Sequence, residues 1–346
     1  MPRVRPVRRS AALAGQRAHL TVRWRTELED HVIVARPSGD GALVAAAAVS
    51  GDVAILDAAT GAPRHDHPGH AQGASCLDWR PGSRTLASGG HDGTVRIWDP
   101  QGCRELEAGA SWVERVRWSP DGSLLAGSAG RRITIWRPDG IVLAEWPDHP
   151  STVTDIGWSP DGSLLAATSY GGVTLWSPDA PDPVRLEWTG SSLALAWSPT
   201  GHHLATGDQD ATVHFWMVTR RTDLQMSGYP TKIRELAWDS SGRHLATGGG
   251  SDVTTWDCAP PGPAGSRPSI VEGDDSLVSA LSAQWRGAMI AAGSQAGRIF
   301  AFRAGASGER GRIELMEGVS SLSWFPDDAG LLAGTDAGGV FSIAVT

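Results

Sequence analysis

The stretch WSPDGSLLAGSAGRRITIW, residues 118–136, decides the fold because it combines a turn with two short strand-like segments. In its S-P-D-G part, Pro120 presets φ, Asp121 can hydrogen bond to its own backbone, and Gly122 tolerates a positive φ. LLAGS has the small residues of a tightly packed strand, and RITIW has the β-branched residues that favour strands. With VERVRW before it, the stretch predicts three short strands joined by tight turns.

The same pattern recurs along the chain at intervals of about forty residues. Four clear copies start at Trp79, Trp158, Trp197 and Trp238, and three weaker ones start at Ala35, Ala283 and Trp324. Periods of this size indicate repeat architectures in which no unit can bury its apolar face alone. No segment has the sustained periodicity of a helix. The sequence therefore predicts an all-β protein built from eight repeat units.

The repeats resemble those of the WD40-repeat family. The features that carry the resemblance are the pair Gly69-His70, the recurring WSPDG turns, and the dipeptides Trp98-Asp99 and Trp256-Asp257. The resemblance covers residues 20–346 and implies a β-propeller, in which four-stranded blades surround a central channel. Eight units favour eight blades, and seven, the commoner number in the family, is the alternative.

The sequence divides into a basic tail, residues 1–19, which we expect to be disordered, and a single propeller, residues 20–346. The segment LTVRWRTEL, residues 20–28, has the alternation of a strand. The last unit ends with GVFSIAVT and lacks a fourth strand of its own. We expect residues 20–28 to supply it, closing the ring and covering an exposed strand edge. The Pro/Gly-rich run at 258–268 is predicted to be a loop within the sixth unit.

Composition restricts the function and the compartment. The 346 residues carry a formal net charge of −8, which argues against nucleic-acid binding. Three cysteines without a CxxC pair indicate a reducing cytoplasm. The only apolar run near the N-terminus, AALAG, is too short for a membrane span, so no membrane association is expected. Abundant Ala, Gly and Arg with a single lysine suggest a GC-rich bacterial genome. We expect a monomer.

The resemblance assigns a structural role to one histidine. In the family, a histidine, a hydroxyl residue, a turn aspartate and a tryptophan form a hydrogen-bonded tetrad that rigidifies a blade. Carried over by position, the tetrad of the second unit is His70, Ser88, Asp92 and Trp98. The fifth unit keeps Thr206, Asp210 and Trp216 but has Trp188 where the histidine belongs. The second unit is therefore expected to hold the complete tetrad.

Two further histidines, His65 and His67, are weak candidates for a metal site. Alternate residues of a strand face the same side, so both imidazoles could share one side of the sheet. A structural zinc site generally needs four ligands, however, and His70 is assigned to the tetrad. We therefore predict neither a metal site nor any other cofactor. No catalytic motif is present, and we expect no enzymatic activity.

What remains is recognition through surface loops. Family members commonly bind partners on the face that carries the loops between outer and first strands and between second and third strands. The candidate partner-binding residues in these loops are His91, Trp112, Glu114, Thr152, Thr154, Gln209, Lys232 and Arg234. An exposed tryptophan beside a charged residue is a typical interaction hot spot.

The sequence therefore predicts a non-catalytic scaffold that binds a protein or peptide. One alternative is a sensor or regulatory partner of a separately encoded ATPase or kinase. Another is a metal-handling protein that uses His65 and His67. Because a fold does not fix a function, the choice among the three depends on the site.

Overall fold

The computed structural model of the protein describes residues 18–65, 69–99, 102–178, 180–260 and 262–346. In the first half of the chain the strands are β1 (Leu20–Glu27), β2 (Val32–Pro37), β3 (Leu43–Ala48), β4 (Val53–Asp57), β5 (Pro63–His65), β6 (Ala74–Trp79), β7 (Leu86–Gly90), β8 (Thr94–Asp99), β9 (Gly102–Glu107), β10 (Val113–Trp118), β11 (Leu125–Ala129), β12 (Arg132–Trp136), β13 (Val142–Trp146), β14 (Asp155–Trp158) and β15 (Leu165–Ser177).

The second half is also built from strands, with one short 3-10 helix at Val218–Arg220. These strands are β16 (Ala180–Trp197), β17 (His203–Asp208), β18 (Val213–Met217), β19 (Thr222–Met226), β20 (Leu236–Trp238), β21 (His244–Thr247), β22 (Val253–Asp257), β23 (Ser269–Val271), β24 (Val278–Ala283), β25 (Met289–Ser294), β26 (Arg298–Arg303), β27 (Glu309–Glu314), β28 (Val319–Trp324), β29 (Gly330–Thr335) and β30 (Gly339–Val345). No helix in the described residues is long and apolar enough to span a membrane.

The strands form antiparallel meanders arranged around a ring. Strands β2–β5, β6–β9, β10–β13, β20–β23 and β24–β27 form five four-stranded sheets, and β14–β19 form one six-stranded sheet. The last sheet has the order β1-β30-β29-β28. The first strands of successive units contact one another in a closed circuit, from β2 through β6, β10, β14, β16, β20, β24 and β28 back to β2. The architecture is an all-β propeller.

The predicted number of eight blades is wrong, because the strands of the described residues form seven hydrogen-bonded sheets. The units that contain Trp158 and Trp197 share one sheet. Strand β15 continues past Tyr170, the position at which the second strand of the fourth unit would end. Tyr170 pairs with Ser191 of the long strand β16. Gly172 permits this: its φ is +107°, and a Cβ there would lie 2.2 Å from the Leu186 carbonyl oxygen. The pairing joins the two units edge to edge.

The N-terminal strand closes the ring, as predicted for residues 20–28. Strand β1 pairs antiparallel with β30, from Leu20 opposite Val345 to Glu27 opposite Gly339. Trp24 of β1 is buried, and its indole N–H donates to the Ala58 carbonyl of the neighbouring sheet at 2.8 Å. The strand therefore joins the last sheet to the first. Of the predicted 1–19 tail, residues 1–17 lie outside the described residues.

Tryptophans at the ends of five first strands tie these strands to the first strand of the preceding repeat. The indole N–H of Trp158 donates to the Arg117 carbonyl at 3.1 Å, and that of Trp197 donates to the Gly157 carbonyl at 2.9 Å. Trp79, Trp238 and Trp324 make the equivalent bonds to Arg36, Ala196 and Ser282. The rings are largely buried between sheets. Five of the eight repeats thus contribute one directional bond from an indole N–H to a carbonyl of the preceding first strand.

Deleting residues 1–28 is expected to lower the melting temperature by about 5–10 °C, because it exposes the edge of β30 and removes the buried Leu20 and Trp24. Differential scanning calorimetry measures the change. Deleting residues 1–17 alone is the control and is expected to leave the melting temperature within about 2 °C of that of the full chain. Equal melting temperatures for the two deletions would contradict closure by β1.

Candidate functional site

Two sets of loops lie at the same end of the sheets, and we call this surface the loop face. It comprises the loops that lead into each first strand and the turns between second and third strands. A repeated backbone hydrogen bond joins the two sets in five units. The N–H of the first residue after a second strand donates to the carbonyl of the residue ahead of the first strand or, in the fifth unit, to a carbonyl within the long strand β16. The bonded pairs are Val49 to His31, His91 to Gly73, Gln209 to Ser191, Gln295 to Leu277, and Asp336 to Gly318.

Two of the predicted partner-binding residues form an aromatic pair on the loop face. His91, in the turn after β7, stacks on Trp112, in the loop before β10, with ring centroids 5.1 Å apart and planes 27° apart. Trp112 is 58% exposed. Its ring therefore does not pack into a sheet interface but lies open to solvent, supported by the imidazole. A rigid, exposed aromatic ring is a favourable contact for a partner.

Lys232 and Arg234 lie together at a cavity of about 560 Å³ in the loop face. Its polar lining also includes His31, Glu235, Gln295 and Asp336. Burial raises the pKa of the Glu235 carboxyl, although the Arg234 N–H and the charges of Arg234 and Lys232 lower it in part. Both cations are exposed, so the cavity offers positive charge to an incoming group.

The remaining predicted residues are distributed around the face. Thr152 and Gln209 are exposed, and Glu114 is half-buried in β10. Thr154 instead has a structural contact: its hydroxyl donates to the Ser192 carbonyl at 2.6 Å, which links β14 to β16. Thus the structure brings His91 to Trp112, and Lys232 to Arg234, without placing all eight candidates in one pocket.

The sequence prediction missed four exposed apolar side chains of the loop face. These are Val49, Tyr170, Leu277 and Met316. Val49 directly follows β3, and Tyr170 occupies the equivalent repeat position within β15. Both match the position of His91 in the second unit, so the repeat pattern contained a signal that could have identified them. Met316, in the loop before β28, is 99% exposed.

The four tetrad residues of the second unit form a directional chain of hydrogen bonds. The Trp98 indole donates to the Ser88 hydroxyl at 2.9 Å, and that hydroxyl lies 2.8 Å from His70 Nε2. His70 Nδ1 lies 3.0 Å from Asp92. A neutral imidazole with its proton on Nδ1 satisfies every partner in the chain. Because all four groups are bonded, the chain can rigidify this sheet.

Electrostatics support the neutral imidazole. Burial lowers the pKa of His70, against the opposing effect of the Asp92 carboxylate. Burial alone would raise the pKa of Asp92, but hydrogen bonds from Thr94, from the Ala71 N–H and from His70 outweigh it and lower this pKa to about 2. Asp92 is therefore an anion that holds the Nδ1–H tautomer of His70.

The metal candidates gain no geometric support. His65 is the last residue of β5, and His67 lies outside the described residues. Within the described parts of the chain, no cluster of three or more histidine, cysteine or acidic residues could hold a metal ion.

The fifth unit contains a buried acid that the sequence analysis did not identify. Asp208, the last residue of β17, is fully buried, and its Oδ1 has no hydrogen-bond partner among the described residues. It occupies the position of Gly90 in the second unit, where a Cβ would lie only 2.3 Å from His70 Nδ1. The fifth unit has no histidine there, so a side chain fits. The missing tetrad histidine thus leaves room for this carboxyl.

The surroundings of Asp208 favour its neutral form. Burial raises the pKa of Asp208 to about 7, and the charge of Asp210 adds to the rise, whereas the hydroxyls of Ser192 and Thr206 lower it. The fold therefore holds a carboxyl that titrates near neutral pH, in a unit without the complete tetrad.

Four segments of the chain match the family model described as "WD domain, G-beta repeat": residues 61–99, 103–137, 140–177 and 186–217. They cover less than half of the chain and lie between residues 61 and 217. The matches support the WD40-repeat family that the sequence resembles.

Curated relatives align with parts of the chain. Protein Notchless of Drosophila melanogaster is 33% identical over 97 residues, which are 25% of this chain and 20% of that protein. The ribosome biogenesis protein YTM1 of Yarrowia lipolytica is 39% identical over 57 residues, 16% of this chain and 11% of that protein. Cell division cycle 20.1, cofactor of APC complex, of Arabidopsis thaliana is 30% identical over 185 residues, 48% of this chain and 40% of that protein. The aligned regions therefore span less than half of each relative.

A solved structure resembles nearly the whole fold. The computationally designed Ika8 protein superposes with a TM-score of 0.79 over 95% of this chain and 100% of its own, at 20% sequence identity. At this identity the likeness concerns the fold alone.

Replacing Ser88 by alanine is expected to lower the free energy of unfolding by about 1–3 kcal/mol, because it removes the buried hydroxyl that is hydrogen bonded to His70 Nε2 and to the Trp98 indole. Urea unfolding measures the change. Ser128→Ala is the control: this serine is equally buried in the next sheet, but its hydroxyl has no partner among the described residues. A cost of less than about 0.5 kcal/mol is expected there. Equal losses in the free energy of unfolding for Ser88→Ala and Ser128→Ala would argue against the hydrogen-bonded chain.

Asp208 is expected to make stability depend on pH. Its pKa of about 7 in the folded protein exceeds the ordinary value of 3.8, so the folded state binds the proton more tightly than the unfolded chain. The resulting stabilisation is complete below about pH 4 and is lost as the pH rises to about 7. Asp208→Asn removes this loss.

The test is urea unfolding at pH 5 and pH 8. Relative to Asp208→Asn, the wild type is expected to lose about 2–3 kcal/mol between these pH values. Asp252→Asn, at an exposed aspartate of the next unit, serves as the control and should follow the wild type. Parallel pH profiles for the wild type and Asp208→Asn would show that Asp208 has an ordinary pKa.

Proposed function

We propose that this protein is a non-catalytic WD40 propeller that binds a protein or peptide on its loop face. The observation that carries the proposal is the distribution of exposed apolar side chains. Of the eleven exposed large apolar side chains in the described residues, five lie on this face, five lie on or beside the outermost strands of the sheets, and only Trp285 lies on the opposite face. The five of the loop face are Val49, Trp112, Tyr170, Leu277 and Met316. Exposed apolar groups concentrated on one face are typical of interaction surfaces.

The geometry of the loop face supports binding without catalysis. The sheets hold the loops in place, because in five units the residue after the second strand is bonded to the chain beside the start of the first strand. A partner therefore meets a preformed surface, which reduces the ordering cost of association. The described residues that line the cavity beside Lys232 and Arg234 include no nucleophile paired with a base.

The names of two relatives support a role within protein assemblies. One is a ribosome biogenesis protein and another is a cofactor of the APC complex. We transfer from them only the class of activity, association with other proteins. The proposal also includes a bacterial origin, from the Ala-, Gly- and Arg-rich composition, and a cytoplasmic location, from three cysteines that are all free thiols.

Trp112→Ala is expected to weaken partner binding at least tenfold, because it removes the exposed ring that stacks on His91. The measurement is recovery of partners from a lysate of the source organism by the immobilised protein, followed by titration of the recovered protein. Trp285→Ala is the matched control, since Trp285 is 57% exposed but lies in the turn between β24 and β25, on the opposite face. A partner whose affinity falls with Trp285→Ala and not with Trp112→Ala would place the binding surface elsewhere.

A further inference from the structure

We infer that the segment bound by the loop face is basic: a stretch of a partner protein rich in arginine or lysine and interspersed with apolar residues. This inference rests on the proposed function and adds the chemistry of the partner. It comes from the charges that the fold collects on the loop face, beside the exposed apolar side chains.

Acidic residues greatly outnumber basic ones in the described loops of this face. The acidic residues are Glu29, Asp30, Asp52, Asp92, Asp148, Asp210, Glu235, Asp252, Glu272, Asp274, Asp275, Glu317 and Asp336. The basic residues are Arg131, Lys232 and Arg234. In the sequence these acids are scattered over three hundred residues, and only the ring of sheets brings them to one surface.

Most of these carboxylates keep their charge free for a partner. Glu317 pairs with Arg25 at 2.5 Å, and Asp92 is bonded to His70. The exposed members form no ion pair with any residue in the described ranges; they are Glu29, Asp30, Asp148, Asp210, Asp252, Glu272, Asp275 and Asp336. An uncompensated array of this kind produces a negative potential that attracts cations and speeds association.

The opposite face has no such excess. Its described turns carry the acids Asp40, Asp121, Asp139, Asp161, Asp239, Asp327 and Asp328. They also carry the cations Arg80, Arg84, Arg137, Arg220, Arg221, Arg243, Arg267 and Arg286. Several of these acids are engaged locally: Asp121 and Asp161, for example, accept hydrogen bonds from serines of their own turns. The negative charge of the described loops is therefore concentrated on the loop face.

The exposed apolar groups indicate a polypeptide as the occupant. A simple cation would not need Trp112, Tyr170 or Met316, whereas a peptide can bury them. An arginine is particularly suited to Trp112, because a guanidinium can stack on the indole while Glu114, two residues away in sequence, supplies a carboxylate. Nucleic acids and anionic membranes would be repelled by the same charges.

Lys232 and Arg234 are the local exception, and they restrict how such a segment can bind. Both line the cavity together with Glu235 and Asp336. The stacked rings of Trp112 and His91 are not part of this cavity. A basic segment is repelled there unless it carries an acidic residue at the matching position. The loop face can thereby fix the direction of the bound segment.

The test starts with an unbiased library of random twelve-residue peptides displayed on phage and selected against the full-length protein. We expect the selected peptides to be enriched in arginine and lysine. Synthetic, labelled copies are then titrated by fluorescence anisotropy at about 50 and 500 mM NaCl, and their affinity is expected to fall at the higher salt concentration because screening weakens charge attraction.

Two triple variants with the same net charge test whether the charges that attract the peptide lie on the loop face. Asp148→Asn, Asp275→Asn and Asp336→Asn together remove three exposed charges from the loop face. Asp139→Asn, Asp182→Asn and Asp327→Asn remove three charges outside it. The first variant is expected to bind the selected peptides about tenfold more weakly, and the second within about twofold of wild type. Circular dichroism melting checks that both variants are folded.

The outcomes separate this inference from the proposed function. Selected peptides that need Trp112 but lack basic residues would overturn the basic-partner inference and leave the docking function intact. Selected peptides that are insensitive to Trp112→Ala and to both triple variants would overturn both. Equal weakening by the two triple variants would show that only net charge matters, which also overturns the inference.

Discussion

The bond from a first-strand indole N–H to a carbonyl of the preceding first strand is the interaction on which the ring depends. Sheets that pack face to face through small apolar side chains can slide, because dispersion and the hydrophobic effect have little directionality. The bonds of Trp79 to Arg36 and of Trp158 to Arg117 fix the offset between neighbouring sheets. Trp118 is an exception: its indole N–H has no partner in the described residues, and Arg80 lies over its ring instead.

Because the inner strands fix the ring, the loops and the networks behind them are free to vary. The second unit keeps a complete hydrogen-bonded tetrad around His70, whereas the fifth lacks the histidine and admits Asp208 in the space that it would fill. Tight packing accounts for this exchange: two side chains cannot occupy one volume. The cost is a buried carboxyl that is stable in its neutral form, and the fold tolerates it because neighbouring sheets hold the unit in place.

Much of the fold could be predicted, since strands and turns depend on neighbouring residues. The S-P-D-G turns and the closing strand at residues 20–28 follow from local pattern, whereas the His70 chain was implied by the resemblance to the WD40-repeat family. The number of sheets could not be predicted, because the pairing of Tyr170 with Ser191 joins two units across 21 residues. Among the candidate site residues, Trp112 and His91 were identified separately from the sequence, but their stacking was not, and Val49 and Tyr170 were not identified.

The sequence alone determined the repeat, the all-β class and the kinds of residue in each loop, because these depend on short-range backbone preferences and on hydrophobic pattern. Only the tertiary structure decided which loops share a surface, that two units merge into one sheet, and that scattered carboxylates such as Asp148, Asp275 and Asp336 form one negative face. The physical reason is that electrostatic potential and surface exposure are sums over neighbours in space. The ring brings together residues that the chain keeps far apart.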